Sequence, residues 1–190
     1  MQVKSEIQPT DSTLIYHINP EGLILNNNPW AIPPQNEIRF TSQSIIAQDF
    51  ELDRNGNHLS INSSNREQNK EVLNLSFDNF QLSTLTGFLN AEDTLASGII
   101  KGELTIENPK EEMGLVSDLN IENLEVLNVD LGKLRLEASA QNKEQYKVNL
   151  ALNGKAIDLT LNGDYTAKKI EGLLDFNLQV DRLEFSEISE

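Results

Sequence analysis

The chain has 190 residues, of which 38% are hydrophobic, so it can bury a core and is not disordered by composition. Its 15 Lys and Arg residues against 30 Asp and Glu give a formal net charge of −15, which repels phosphate backbones and argues against nucleic acid as a partner. The absence of cysteine excludes disulfides and thiolate chemistry.

The sequence contains no run approaching the about 20 apolar residues of a membrane-spanning helix. Met1–Lys4 lead into polar sequence rather than the apolar core of a signal peptide. We therefore expect a cytosolic protein or an internal piece of a longer one.

Residues 1–70 are predicted to be loop-rich, with short strands at 13–18 and 23–25. The adjacent prolines Pro33 and Pro34 favour an extended connection over a central strand. Further strands are predicted at 36–40 and 44–52. Asn55-Gly56 predicts a tight hairpin turn into 58–62, and a polar loop is expected over 63–71 before a strand at 72–77.

Residues 79–93 break the strand pattern, because their apolar residues recur at helical spacing. One short amphipathic helix is predicted there, with its apolar face formed by Phe80, Leu82, Leu85, Phe88 and Leu89.

Residues 98–187 read as a β-meander, with a kink near Asn123. Apolar and polar residues alternate strictly through 146–165, interrupted by Asn153-Gly154. Since successive side chains of a strand point to opposite faces, this alternation predicts an antiparallel sheet with one apolar and one wet face.

Residues that could perform chemistry are sparse. His17 and His58 have no partners at metal-ligand spacing, and the Asp49–Asn57 stretch resembles a calcium loop but places Gly56 wrongly and lacks the terminal glutamate. No nucleophile elbow, phosphate loop or metalloprotease motif is present. The sequence predicts no enzyme, no catalytic residue, no metal and no cofactor.

Trp30, the single tryptophan, follows Pro29 and precedes the proline pair. It could serve as a stacking platform for a sugar, but we favour a role as a plug at one end of the core.

Three architectures fit a sheet with one apolar face: a β-sandwich, a barrel, or a curled antiparallel sheet that forms an open, U-shaped groove. The smooth aliphatic character of the apolar positions favours the groove. Burying an acyl chain against such a wall gains about 0.8 kcal/mol per methylene.

Several segments resemble the TamB group of AsmA-like envelope proteins. NPWAIPPQNEIRF and the hairpin that follows it resemble that family's tryptophan strand and next hairpin. LSTLTGFLNAEDTLASGIIKGELTIEN resembles its short helix and Gly-x-x-x-Gly-x-Leu strand, here with Gly98 and Gly102. The stretch with Leu131, Gly132 and Leu134 resembles its Leu-Gly-x-Leu motif, and the resemblance continues through YKVNLALNG, LTLNGDY and IEGLLDFNLQVDRLEF.

The resemblance implies a curled β-sheet with a hydrophobic groove in the periplasm of a two-membrane bacterium. It implies a parent protein anchored in the inner membrane, of which residues 1–190 form a single elongated groove segment. Phospholipid acyl chains and an outer-membrane barrel protein of the BamA or TamA type are the implied partners, in phospholipid transport and outer-membrane protein assembly.

We therefore expect a mainly β protein with one short helix whose groove is lined by aliphatic residues. The groove residues are Leu134, Leu136, Val148, Leu150, Leu152, Ile157, Leu159, Leu161, Leu174, Phe176 and Leu178. The same residues could instead form an ordinary sandwich core. Two other functions stay open: a chaperone that captures strands of outer-membrane proteins at a sheet edge, and a carbohydrate-binding or adhesive sandwich that uses Trp30.

Overall fold

A computed structural model describes residues 4–10, 13–66, 70–89, 95–110, 112–142, 144–168 and 171–184. Within these residues the chain is mainly β with one short helix, as the sequence predicts. The elements are β1 (Ser5–Thr10), β2 (Thr13–Ile18), β3 (Ile24–Leu25), β4 (Asn28–Pro29), β5 (Glu37–Thr41), β6 (Ile45–Gln48), β7 (Phe50–Arg54), β8 (Asn57–Arg66), β9 (Lys70–Gln81), α1 (Leu82–Leu89), β10 (Ala96–Glu107), β11 (Gly114–Val126), β12 (Val129–Ala140), β13 (Gln145–Asn153), β14 (Ile157–Thr166) and β15 (Leu173–Leu183).

The largest unit is a nine-stranded antiparallel meander in which β7 to β15 lie side by side in chain order. The sheet is curled, and among the described strands its edges β7 and β15 do not pair with each other, so it is not a closed barrel. The prediction of a curled antiparallel sheet with one short helix is confirmed. The described part contains no helix long and apolar enough to cross a membrane.

A smaller four-stranded sheet has the order β1-β2-β5-β6, and β3 and β4 form a two-residue ribbon. The predicted single strand over 44–52 is wrong, because it consists of β6 and β7 in different sheets. Asp49 separates them with φ = 48°. A residue in this left-handed region cannot continue a strand, so the chain turns from one sheet into the other there.

Two further boundaries differ from prediction. Most of the polar loop expected over 63–71 is strand, because β8 and β9 pair out to Arg66 and Lys70; residues 67–69 lie outside the described part. The helix expected over 79–93 is shorter at its start, because β9 continues through Gln81 to pair with β10. Helix α1 begins at Leu82, and residues 90–93 lie outside the described part.

Turns and bulges explain the predicted interruptions. Asn55 and Gly56, with φ of 50° and 79°, join β7 to β8 in the predicted hairpin. The predicted kink near Asn123 is a bulge at φ = 52°, where the register between β11 and β12 shifts. Leu127 and Asn128 form the next two-residue turn, also with positive φ.

The register aligns apolar residues with apolar residues across the meander. Paired positions form an apolar row that crosses all nine strands: Leu52, Leu59, Phe77, Gly102, Leu119, Leu136, Leu150, Leu161 and Leu178. The row beside it, on the opposite face, is polar: Glu51, Ser60, Ser76, Glu103, Asp118, Glu137, Asn149, Asn162 and Asn177. We call these the apolar face and the polar face.

The main core lies between one end of the apolar face and the segment that folds over it. We call this segment, residues 13–40 together with α1, the cover. Buried residues of the cover and of β7 to β10 pack together in one cluster. From the cover come Ile18, Leu23, Leu25, Trp30 and Ile32, and from the sheet come Phe50, Leu52, Leu59, Phe77, Phe80 and Ile100. Among the described residues, two-layer packing of the sandwich kind is therefore found at this end of the sheet.

Candidate functional site

The apolar face has a covered part and an open part. The cover packs on β7 to β10, and Leu119 and Ile121 of β11 contact the same cluster from partly buried positions. Beyond β11, the extensive contacts of β12 to β15 are with neighbouring strands of the same sheet. We call the apolar side of β12 to β15 the open face.

The exposure of the predicted groove residues rises toward the edge of the sheet. Val148 and Leu152 on β13 are 8% exposed, whereas Leu174 and Leu178 on β15 are 59% and 55% exposed. The other predicted residues on β12, β13 and β14 are half-buried: Leu134, Leu136, Leu150, Ile157, Leu159 and Leu161. Phe176 is 40% exposed. The outer strands therefore leave apolar surface that no described part of the chain buries.

The strand register brings most of the predicted residues together. Leu136, Leu150, Leu161 and Leu178 lie in one row, and Leu134, Leu152 and Leu159 lie in the next, which ends at Val180. Sequence reasoning left Val180 out of the site, although it continues the alternation through Leu174, Phe176 and Leu178 and is 49% exposed.

Phe176 lies over a glycine. A Cβ atom on Gly163, its cross-strand partner, would come within 2.3 Å of Phe176 Cδ1. The missing side chain gives the ring room to lie on the sheet and keeps the open face smooth at this point.

Two tyrosines at one end of the open face form hydrogen bonds with the β10–β11 hairpin. Tyr146, which is fully buried, donates its hydroxyl hydrogen bond to Glu107 Oε2 at 3.0 Å, and Tyr165 Oη donates to the Met113 carbonyl at 2.9 Å. The rings lie 5.9 Å apart. The side chains of Tyr146 and Tyr165, on β13 and β14, thus extend beyond β12 and contact the β10–β11 hairpin. They can do so because β12 pairs with β11 only from Ser117 and Ala138 onward, which leaves the start of β11 without a β12 partner.

Burial raises the pKa of the Tyr146 hydroxyl well above its usual range, and the hydrogen bond to the Glu107 carboxylate raises it further. The hydroxyl therefore stays protonated as a donor. Gly114 gives it space, since a Cβ atom there would lie 1.8 Å from Tyr146 Oη. We call Tyr146, Tyr165 and Gly114 the tyrosine clasp.

The ion pairs among β10, β11 and β12 lie on the polar face. Arg135 pairs with Glu137 at 2.5 Å and approaches Asp118 at 4.0 Å, and Lys101 pairs with Glu122 at 3.6 Å. These side chains keep the outer surface hydrated and leave the open face to aliphatic and aromatic groups.

A cavity of about 440 Å³ on the smaller sheet has a polar lining that includes Glu6, His17 and Glu37. His17 Nδ1 donates to the Asn36 carbonyl at 2.6 Å, and His58 Nδ1 lies 3.5 Å from Asp53 Oδ2 in the β7–β8 hairpin. Within the described ranges, no group of three or more His, Asp or Glu side chains is arranged to hold a metal ion.

Trp30 is 5% exposed, and its ring centroid lies 5.4 Å from that of Phe80. The indole ring therefore has no accessible stacking surface. This is the plug position that the sequence analysis favours, and it removes the feature on which the carbohydrate-binding alternative depends.

Comparisons with protein-family models, with curated proteins and with solved structures give no match to this chain.

Proposed function

We propose that the open face binds phospholipid acyl chains. In this proposal the chain is a periplasmic segment of a TamB-like bridge that carries phospholipid between the inner and outer membranes and supports outer-membrane protein assembly. The parent protein would be anchored in the inner membrane and would meet an outer-membrane barrel protein of the BamA or TamA type.

One observation carries the lipid proposal. The apolar row through Leu136, Leu150 and Leu161 continues to Leu178 on β15, where more than half of the side chain is exposed. Soluble proteins rarely leave a contiguous apolar strip of this kind on their surface without a binding role.

The chemistry of the strip favours acyl chains over other apolar ligands. Its predicted lining is aliphatic apart from Phe176 and offers no directional bond, so a chain can slide along it at little cost in hydrogen bonds. Each methylene that leaves water contributes about 0.8 kcal/mol. The membrane location and the barrel partner rest on the sequence resemblance alone.

The cover blocks one end of the proposed groove and leaves the other end accessible. Trp30, Phe77 and Phe80 fill the apolar face at the β7 to β10 end, so acyl chains would reach the wall from the side of β15. The sealed end would then limit how far a chain extends along the sheet.

The test is photocrosslinking in cells. A benzophenone amino acid at Leu150 or Leu159 should give adducts with phospholipid, detected by mass spectrometry of the purified protein. The matched controls are Asn149 and Thr160, which neighbour these residues on the polar face of β13 and β14. Adducts with protein alone at Leu150 and Leu159, or equal lipid labelling on both faces, would contradict the proposal.

A further inference from the structure

The described sheet edges differ in how they are protected from pairing with other strands. β1 carries Pro9, which cannot donate to a ladder, and β7 exchanges backbone hydrogen bonds with Ala31 at 2.9 and 3.0 Å. β6 has four residues, and its Ala47 amide donates to Ser63 Oγ of β8 at 2.8 Å. β15 has eleven residues, no proline, and no described strand on its outer side.

We propose that the outer edge of β15 pairs with a basic, amphipathic β-strand of another protein. The inference is independent of lipid binding, because it concerns the backbone edge of the sheet and the charges beside it. Natural sheets usually blunt long edges, so a long edge whose residues 173–180 contain neither a proline nor a bulge marks an interaction surface.

The first argument is the regularity of the edge. β15 pairs with β14 from Leu173 to Val180 without a shift in register, and the bulge comes only at Asp181. Eight residues are therefore held in extended conformation, and alternate residues direct their N–H and C=O groups away from β14. This length exceeds the about five to six residues of a typical strand.

The second argument is the side-chain pattern. Leu174, Phe176, Leu178 and Val180 lie on the apolar side of β15, and Asp175, Asn177 and Gln179 lie on the other. An added strand that continues both faces must alternate in the same way, since cross-strand neighbours share a face.

The third argument is charge. Asp175 lies directly opposite Asp164, a like-charge pair that is unfavourable across strands. In the described ranges, no Lys or Arg nitrogen lies within 4.0 Å of the carboxylates of Asp175 or Asp181, and the nearby Arg182 pairs with Asp158 at 3.7 Å. A cation on an incoming strand would offset the Asp164–Asp175 repulsion.

The same charges argue against a second copy of this chain as the occupant. Each copy has a formal net charge of −15, and another β15 would bring its own Asp175 and Asp181 to the junction. Charge complementarity favours a partner strand that carries a basic residue opposite each aspartate, six positions apart, with apolar residues opposite Phe176, Leu178 and Val180.

The probe is a labelled peptide of nine residues, Thr-Lys-Val-Thr-Leu-Thr-Val-Lys-Thr, titrated against the protein by fluorescence anisotropy. One control peptide replaces both Lys residues with Glu, and a second has the same composition without alternation. An exposed ion pair changes affinity by up to about fivefold, so with two such pairs we expect the Lys peptide to bind at least about fivefold more tightly than the Glu peptide at low ionic strength. The second control keeps both lysines but cannot continue both faces of the sheet, so it should also bind more weakly than the Lys peptide.

Two further readouts separate edge pairing from general attraction to an acidic protein. The advantage of the Lys peptide over the Glu peptide should be lost in the Asp175→Asn/Asp181→Asn variant, and hydrogen exchange should slow at backbone amides within 173–180. Equal binding of all three peptides, no dependence on the two aspartates, or binding without protection of β15 would overturn the proposal. Self-association through β15 that excludes the peptide would also overturn it, by assigning the edge to a second copy.

Discussion

Replacing Leu174 and Leu178 together with Gln tests whether the open face binds acyl chains. Complete burial of a leucine side chain contributes about 1.5–3 kcal/mol. Since these residues are 59% and 55% exposed, roughly half of that gain is left for a ligand, or about 1 kcal/mol each. The double change should therefore weaken acyl-chain binding by about 2 kcal/mol, which is about thirtyfold in Kd.

The assay is titration of the purified protein with a fluorescent sixteen-carbon fatty acid, alongside urea unfolding. The unfolding free energy should change by less than about 0.5 kcal/mol per substitution, because exposed side chains contribute little to the folded state. The matched control, Asn177→Ser/Gln179→Ser, alters the polar side of the same strand. A Kd for the leucine variant within threefold of the parent, or equal weakening in the control, would refute the reasoning.

Three further predictions concern stability. Gly114→Ala should lower the free energy of unfolding in urea by about 1–3 kcal/mol, because the new methyl group displaces the buried Tyr146 ring; a change below about 0.5 kcal/mol would contradict the clasp. Leu127→Asn should raise it by about 0.5–1 kcal/mol, since Asn tolerates φ = 49° better than an exposed leucine does, and a loss of stability would oppose this. The pKa of Tyr146 is higher in the folded protein than in the unfolded chain, where it is near 10. The buried tyrosine therefore contributes its full stabilisation below pH 10. Above pH 10 the free energy of unfolding falls by up to about 1.4 kcal/mol per pH unit, because the unfolded chain loses the phenolic proton first. Urea midpoints between pH 9 and 11.5 should therefore fall less steeply in Tyr146→Phe, and parallel curves would contradict the assignment.

Local signals in the sequence predicted most of the meander. Strict alternation through 146–165 gives β13 and β14, and Asn55-Gly56 gives the hairpin between β7 and β8. Both depend on neighbouring residues alone: the alternation of side chains along a strand, and the tolerance of Asn and Gly for positive φ.

The division between β6 and β7 was not predictable in this way. The sequence from 44 to 52 is a continuous strand-like run, and only the left-handed backbone at Asp49 separates it between two sheets. The prediction of a loop over 63–71 was wrong for another reason, which concerns the polar residues at the ends of β8 and β9. They lie in a hairpin that pairs through its backbone, where side-chain polarity carries little information.

The sequence allowed us to predict which residues share one face of the sheet, but not that part of this face is exposed. Periodicity places Leu150 and Leu161 on one side of the sheet, yet it contains no information about what covers that side. Coverage depends on packing between residues far apart in the chain, such as Trp30 against Phe80. For the same reason periodicity does not distinguish Leu52, which is 2% exposed, from Leu178, which is 55% exposed.

The strict chain order of the nine-stranded sheet has a consequence for how such a protein folds and changes in length. Every ladder from β7 to β15 joins strands that are consecutive in the chain, so closing each one costs only a short connection, the longest being the one through α1 between β9 and β10. Low contact order of this kind favours rapid formation, with each hairpin templating the next. It also allows whole hairpins to be inserted or lost without altering the remaining pairs, as in repeat proteins whose units contact only their neighbours.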